Sequence, residues 1–68
     1  MILLKNDKVA KFLGMALPQM HKMMQKGCLN IGVFGKANIN YRHYVYKDML
    51  EKVIGRELTE NELDEMRK

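Results

Sequence analysis

The sequence predicts a small α+β domain in which two short helices, a two-stranded hairpin and a closing helical segment follow one another. Three observations carry this expectation. Apolar residues recur at helical spacing over residues 9–13 and 20–24, and a glycine follows each run. Between residues 29 and 46 the pattern changes to alternation and to Ile, Val and Tyr, which suit strands. Helical spacing then returns over residues 49–54.

The first helix should begin near Asn6 or Asp7, both good N-caps. Val9, Phe12 and Leu13 form its apolar stripe, and Ala10 beside them permits close helix approach. Gly14 should end it by taking the left-handed conformation. Pro18 suits the first turn of a second helix, about residues 16–26, where a missing N–H costs nothing. Met20, Met23 and Met24 make its inner stripe, while Gln19, Lys22 and Lys26 share another face. Gly27 closes it. A turn of Gly14, Met15 and Ala16 between two such helices is a helix-turn-helix.

Leu29, Ile31 and Val33 alternate with Asn30 and Gly32, the pattern of a half-buried strand. Gly35, Lys36, Ala37 and Asn38 read as the tip, and residues 39–46 as the return strand of a hairpin, or wing, over about residues 29–46. Ile39, Tyr41, His43 and Val45 would face inward together unless a bulge exchanges them with Arg42, Tyr44 and Tyr46. Asp48 should cap a third helix with Met49, Leu50, Val53 and Ile54 on its inner face and Gly55 at its end. Thr59 followed by Glu62 has capping-box spacing for a last short helix carrying Leu63 and Met66, marginal in isolation. The expected division is a helix-turn-helix and wing domain over residues 1–55 and a short C-terminal helix or tail over 56–68.

The totals narrow the function. A chain of 68 residues is one domain, and domains this small often lean on a staple, an oligomer or a bound partner. Cys28 is the only cysteine, which leaves no internal disulfide and fits a reducing cytoplasm. Cys28, His21 and His43 have no metal-ligand spacing. No apolar run approaches the roughly 20 residues of a membrane helix, and Met1-Ile2-Leu3-Leu4 is too short for a signal-peptide core. A soluble cytoplasmic protein is expected, with no membrane and no cofactor. Net charge is +4, and residues 1–55 hold nine Lys/Arg against three Asp/Glu while residues 56–68 hold three against five. A basic body with an acidic end points to nucleic acid, although a merely soluble basic protein shows the same balance.

The run Val9-Ala10-Lys11-Phe12-Leu13-Gly14-Met15, continued by Ala16-Leu17-Pro18-Gln19-Met20-His21-Lys22-Met23-Met24-Gln25-Lys26-Gly27, resembles the excisionase-type DNA-binding proteins of phages and mobile elements, whose fold is a MerR-like winged helix. Ala10, Gly14 and Gly27 stand at the family's spacing, and the resemblance covers about residues 3–54. Leu17 stands where the family often has Arg and His21 where it often has Tyr, and the wing is longer than usual. The resemblance implies a winged helix-turn-helix that binds double-stranded DNA. Its implied role is architectural: copies act side by side, as a cooperative homo-oligomer on DNA, bend the duplex and direct a recombinase or other mobile-element protein.

In a helix-turn-helix the N-terminal half of the second helix meets base edges. The candidates there are Leu17, Pro18, Gln19, His21, Lys22 and Lys26. Gln19 can make two hydrogen bonds to adenine, Leu17 can touch a thymine methyl, and the lysines can meet phosphates or guanine. Lys36, Asn38 and Arg42 are the wing's candidates. The same polar residues would equally make an ordinary solvated face, and the methionine stripe an ordinary core. No serine exists to pair with a histidine, and no phosphate-cradling glycine motif or room for a small-molecule ligand is evident. An enzyme is therefore not expected. The alternatives are a small transcriptional regulator of a mobile-element operon and a protein–protein adaptor.

Overall fold

A computed structural model describes residues 1–68, with every side chain but that of Ala37. The first helix, α1 (Asn6–Leu13), starts on Asn6 itself, with Lys5 in the cap position and no side-chain cap. Neither Asn6 nor Asp7 is therefore the expected N-cap. The Asn6 amide is drawn elsewhere, donating to the carbonyl of His43 at 2.9 Å. At the other end Gly14 takes φ 75, and the Met15 N–H turns back to the Ala10 carbonyl at 3.0 Å. A side chain other than glycine is strained in that conformation. Only Gly14, Met15 and Ala16 then separate α1 from α2 (Leu17–Gln25), which carries Pro18 in its first turn as expected.

Leu29 and Ile31 are buried, but they lie before the sheet rather than in it. The strand β2 spans Gly32–Ala37 and pairs with β3 (Asn40–Tyr46) from Gly32↔Val45 out to Ala37↔Asn40. The tip, expected at Gly35–Asn38, is instead Asn38 and Ile39, and Ile39 belongs to the turn rather than to the return strand. A two-residue hairpin turn needs a positive φ, and Asn38 supplies it at 59°. The register runs without a bulge. Val45 faces the core, His43 is half-buried, and Tyr41 on the same face is exposed. Gly32 is required at the base, because a Cβ there would run into the Tyr44 carbonyl and lie 2.9 Å from the Val45 Cα.

A further strand, β1 (Leu3–Leu4), pairs with Tyr46 and Val45, giving a three-stranded antiparallel sheet in the order β1-β3-β2. The first-turn N–H of α3 (Lys47–Ile54) is taken by the Ile2 carbonyl at 3.0 Å, so the helix begins before Asp48, which does not cap it. Leu50 is fully buried, whereas Val53, expected inside, is 47% exposed. The last helix, α4 (Glu60–Met66), has the expected capping box of Thr59 and Glu62. Residues 56–68 do not stand apart, since Leu58 and Met66 enter the core and the Lys68 N–H bonds the Leu3 carbonyl at 3.0 Å. Arg56 holds Glu62 through two contacts of 2.8 and 2.9 Å, lowering its carboxyl to about 2.

Leu4, Val9, Met20, Ile31, Val45 and Leu50 are each no more than 2% exposed. They come from β1, α1, α2, the following loop, β3 and α3, so every layer meets in one core. The fold is a small α+β domain of four helices and one antiparallel sheet. No helix among the described residues is long and apolar enough to cross a membrane.

Candidate functional site

Burying Met20 and Met24 fixes which way α2 faces. At 100° per residue the opposite arc carries Pro18, Gln19, Lys22, Gln25 and Lys26, all exposed. Leu17 does not join them. It is half-buried and packs against the core, so its place in the expected contact set is taken by packing. His21 sits on the flank between core and solvent, on the side of the hairpin.

The register assigns the hairpin's two faces. Residues directly opposite one another share a face, so Phe34, Lys36, Tyr41 and His43 lie together with Val45. Their rings confirm it: the Phe34 centroid is 6.1 Å from Tyr41 and 5.9 Å from His43. Arg42, opposite Gly35, lies on the other face. Lys36 is therefore on the α2 side of the hairpin, Arg42 is not, and Asn38 is at the tip.

The two elements are joined by a pair of imidazoles. His21 of α2 and His43 of β3 stack with centroids 3.8 Å apart and planes 1° from parallel. Gln25 reaches the His43 Nε2 at 3.0 Å, and the Asn6 amide lies 3.4 Å from the His21 Nε2. Burial pushes both rings below their ordinary 6.5, and for His21 the neighbouring His43 adds to it. A stacked pair resists holding two positive charges at once. Its partners are amides, which orient a ring but neither take nor supply a proton. The arrangement is thus a clamp that sets the angle between α2 and the hairpin.

The segment that builds α2 and the hairpin carries charge of one sign. No Asp or Glu occurs between Asp7 and Asp48. Lys22, Lys26, Lys36 and Arg42 are exposed. None of them is in an ion pair among the described residues, where the pairs are Lys47–Glu51 and Arg56–Glu62. Sequence reasoning missed Asn6 and Gln25, the two amides of the clamp. The acid-free run was the available signal that the cations in the middle of the chain have no carboxylate neighbours in sequence. No protein-family model, curated protein or solved structure matches the chain.

Proposed function

We propose that the chain is a winged helix-turn-helix that binds double-stranded DNA, with α2 as its recognition helix and the β2–β3 hairpin as its wing. The observation that carries this is the set of exposed cations and amides on the outer arc of α2 and on the hairpin, drawn from a segment without Asp or Glu. A major groove about 12 Å wide admits a helix, and α2 offers it Gln19, Lys22 and Lys26 with no carboxylate to repel phosphate. Gln19 reads adenine through two hydrogen bonds, and Lys22 and Lys26 meet phosphate or guanine. Ala16 gives α2 no side-chain cap. Pro18 has no N–H, so the Leu17 and Gln19 amides of the first turn are the ones open to a phosphate oxygen, which the helix dipole favours. Lys36 and Arg42 contact the backbone flanking that groove, and His21 serves as part of the clamp.

A recognition helix of nine residues reads few base pairs, so useful affinity calls for copies on adjacent sites. With the resemblance stated above, this supports an accessory role in a mobile genetic element, in which side-by-side copies shape the DNA for a recombinase. The test is fluorescence-anisotropy titration of a random duplex and of duplexes from around the gene, across a salt series. Tight binding with a preference for the local sequence is expected, with log affinity falling steeply against log salt. Absence of binding at low salt would overturn the proposal.

A further inference from the structure

We propose that the α2-side face of the hairpin is a stacking platform for single-stranded DNA, on which Phe34 and Tyr41 each take the face of an unpaired base. This goes beyond duplex binding, because paired bases offer a protein their edges in a groove and not their faces. Phe34 is 42% exposed and Tyr41 is 49% exposed, on the same face of the sheet, with ring centroids 6.1 Å apart. Phe12, the chain's other phenylalanine, packs against the core. The ring of Phe34 does not. Contact between aromatic rings across a hairpin is stabilising in itself, but these two are tilted by 60° and do not cover one another face to face.

Three features suit this face to unpaired bases. First, the rings form a row. His21 lies flat on His43 at 3.8 Å, His43 is 5.9 Å from Phe34, and Phe34 is 6.1 Å from Tyr41. The protein thus already stacks one planar ring on this face, and the clamp at His43 fixes the rung Phe34↔His43 on which the platform is built. Second, the charge is that of a backbone binder. Lys36 is exposed directly opposite Tyr41 on the same face, and Lys22 is exposed beside His21 on α2. No Asp or Glu occurs between Asp7 and Asp48, so phosphates passing the rings meet only cations from this segment. Rings that hold base faces and lysines that hold phosphates bind a single strand with little regard to its sequence. Third, the surface suits DNA rather than RNA. A 2′-hydroxyl is a donor in search of an acceptor, and the segment supplies no carboxylate to receive it.

The experiment titrates labelled oligo(dT) of about 12 nucleotides by anisotropy at low salt. An abasic oligomer of the same length, which keeps the phosphates and lacks the bases, is the comparison. Wild-type protein should bind oligo(dT) more tightly than the abasic oligomer. Oligo(dT) should also quench the tyrosine emission, which is readable because the chain has no tryptophan. Phe34→Ala and Tyr41→Ala should each lower oligo(dT) affinity by about 5- to 150-fold. Tyr41→Phe keeps a ring in place and should keep the affinity while losing most of the quenching. Far-UV circular dichroism checks that the variants fold, and Tyr41→Phe, which removes only one exposed hydroxyl, decides the matter if the alanine variants do not. Equal wild-type affinity for oligo(dT) and the abasic oligomer overturns the platform. So does oligo(dT) affinity untouched in both alanine variants, or quenching that persists in full in Tyr41→Phe. Tighter binding of oligo(rU) than of oligo(dT) overturns the assignment to DNA. Binding of duplex without binding of oligo(dT) overturns the platform and leaves the proposed function standing, and binding of oligo(dT) without duplex does the reverse.

Discussion

Lys22, Lys26, Lys36 and Arg42 are the exposed cations of α2 and the hairpin, and none is neutralised by a carboxylate among the described residues. If each meets one phosphate, log affinity falls against log salt with a slope of about −3.6, at about −0.9 per phosphate on duplex DNA. Raising salt fourfold then weakens binding by about 150-fold, and removing one cation reduces that factor to about 40-fold. Lys22→Ala and Lys36→Ala, titrated by anisotropy over that range, should each flatten the slope by about 0.9. Arg56→Gln serves as the contrast, because Arg56 is already occupied by Glu62 at 2.8 and 2.9 Å. It removes the same unit of charge and should leave the slope unchanged. A slope that falls equally for Arg56→Gln and Lys36→Ala would mean that the protein responds to net charge alone. A slope untouched by Lys22→Ala and Lys36→Ala would place the DNA on another surface.

Gln19→Ala should relax sequence preference by about 1–3 kcal/mol at one base pair; in binding-site selection, an equal loss on every sequence would refute base reading by Gln19. Gly32→Ala forces a Cβ to 2.8 and 2.9 Å from backbone atoms of Tyr44 and Val45 and should cost at least about 3 kcal/mol in urea denaturation, more than ordinary overpacking. Gly14→Ala, with open space for its Cβ, should cost only about 1 kcal/mol of left-handed strain, and equal losses at the two sites would contradict the packing at the hairpin base. His21 and His43 both titrate below 6.5 when folded, so the unfolded chain binds protons first as pH falls. Stability is then full above 6.5 and declines below it, apart from the carboxylate loss that begins only below 4.5, where Glu62 is held at about 2. The urea midpoint should drop from about pH 7 to about pH 5 and do so less in His21→Gln; a midpoint flat across that range would refute the pair's role.

The parts of the fold legible in the sequence are those whose chemistry is local. Gly14 and Gly27 end their helices at positive φ, and Thr59 with Glu62 makes its capping box, because each acts within one turn of chain. The hairpin was legible as a hairpin but not in its bounds. Alternation over Leu29, Ile31 and Val33 came from a loop burying two residues in the core, and the true ladder starts at Gly32. A two-residue strand has no period to detect, so β1 left no trace. Asn6 looked like a cap because Asn is a good one, yet its amide bonds a carbonyl 37 positions away. On the candidate surface, Gln19, Lys22 and Lys26 were legible from helical spacing. The inward turn of Leu17 was not, and neither was the stacking of His21 on His43, since both depend on partners brought in by the tertiary fold.

The clamp explains how so small a chain can offer two separated contacts as one surface. β3 pairs with β1 at its base and with β2 along its length, and it runs directly into α3. Core burial along β3 stops at Val45. Above it the hairpin is aimed by the stacked rings at 3.8 Å, by Gln25 at 3.0 Å and by Asn6 at 2.9 Å. Asn6 opens α1 while His21 and Gln25 belong to α2, so both helices and the hairpin meet at His43. In the proposed complex, a helix in the groove and a hairpin on the flanking backbone bind together only if their separation is set beforehand; otherwise ordering the hairpin subtracts from the affinity. His43 lies between the buried base and the exposed tip, the position from which a single side chain can set that separation.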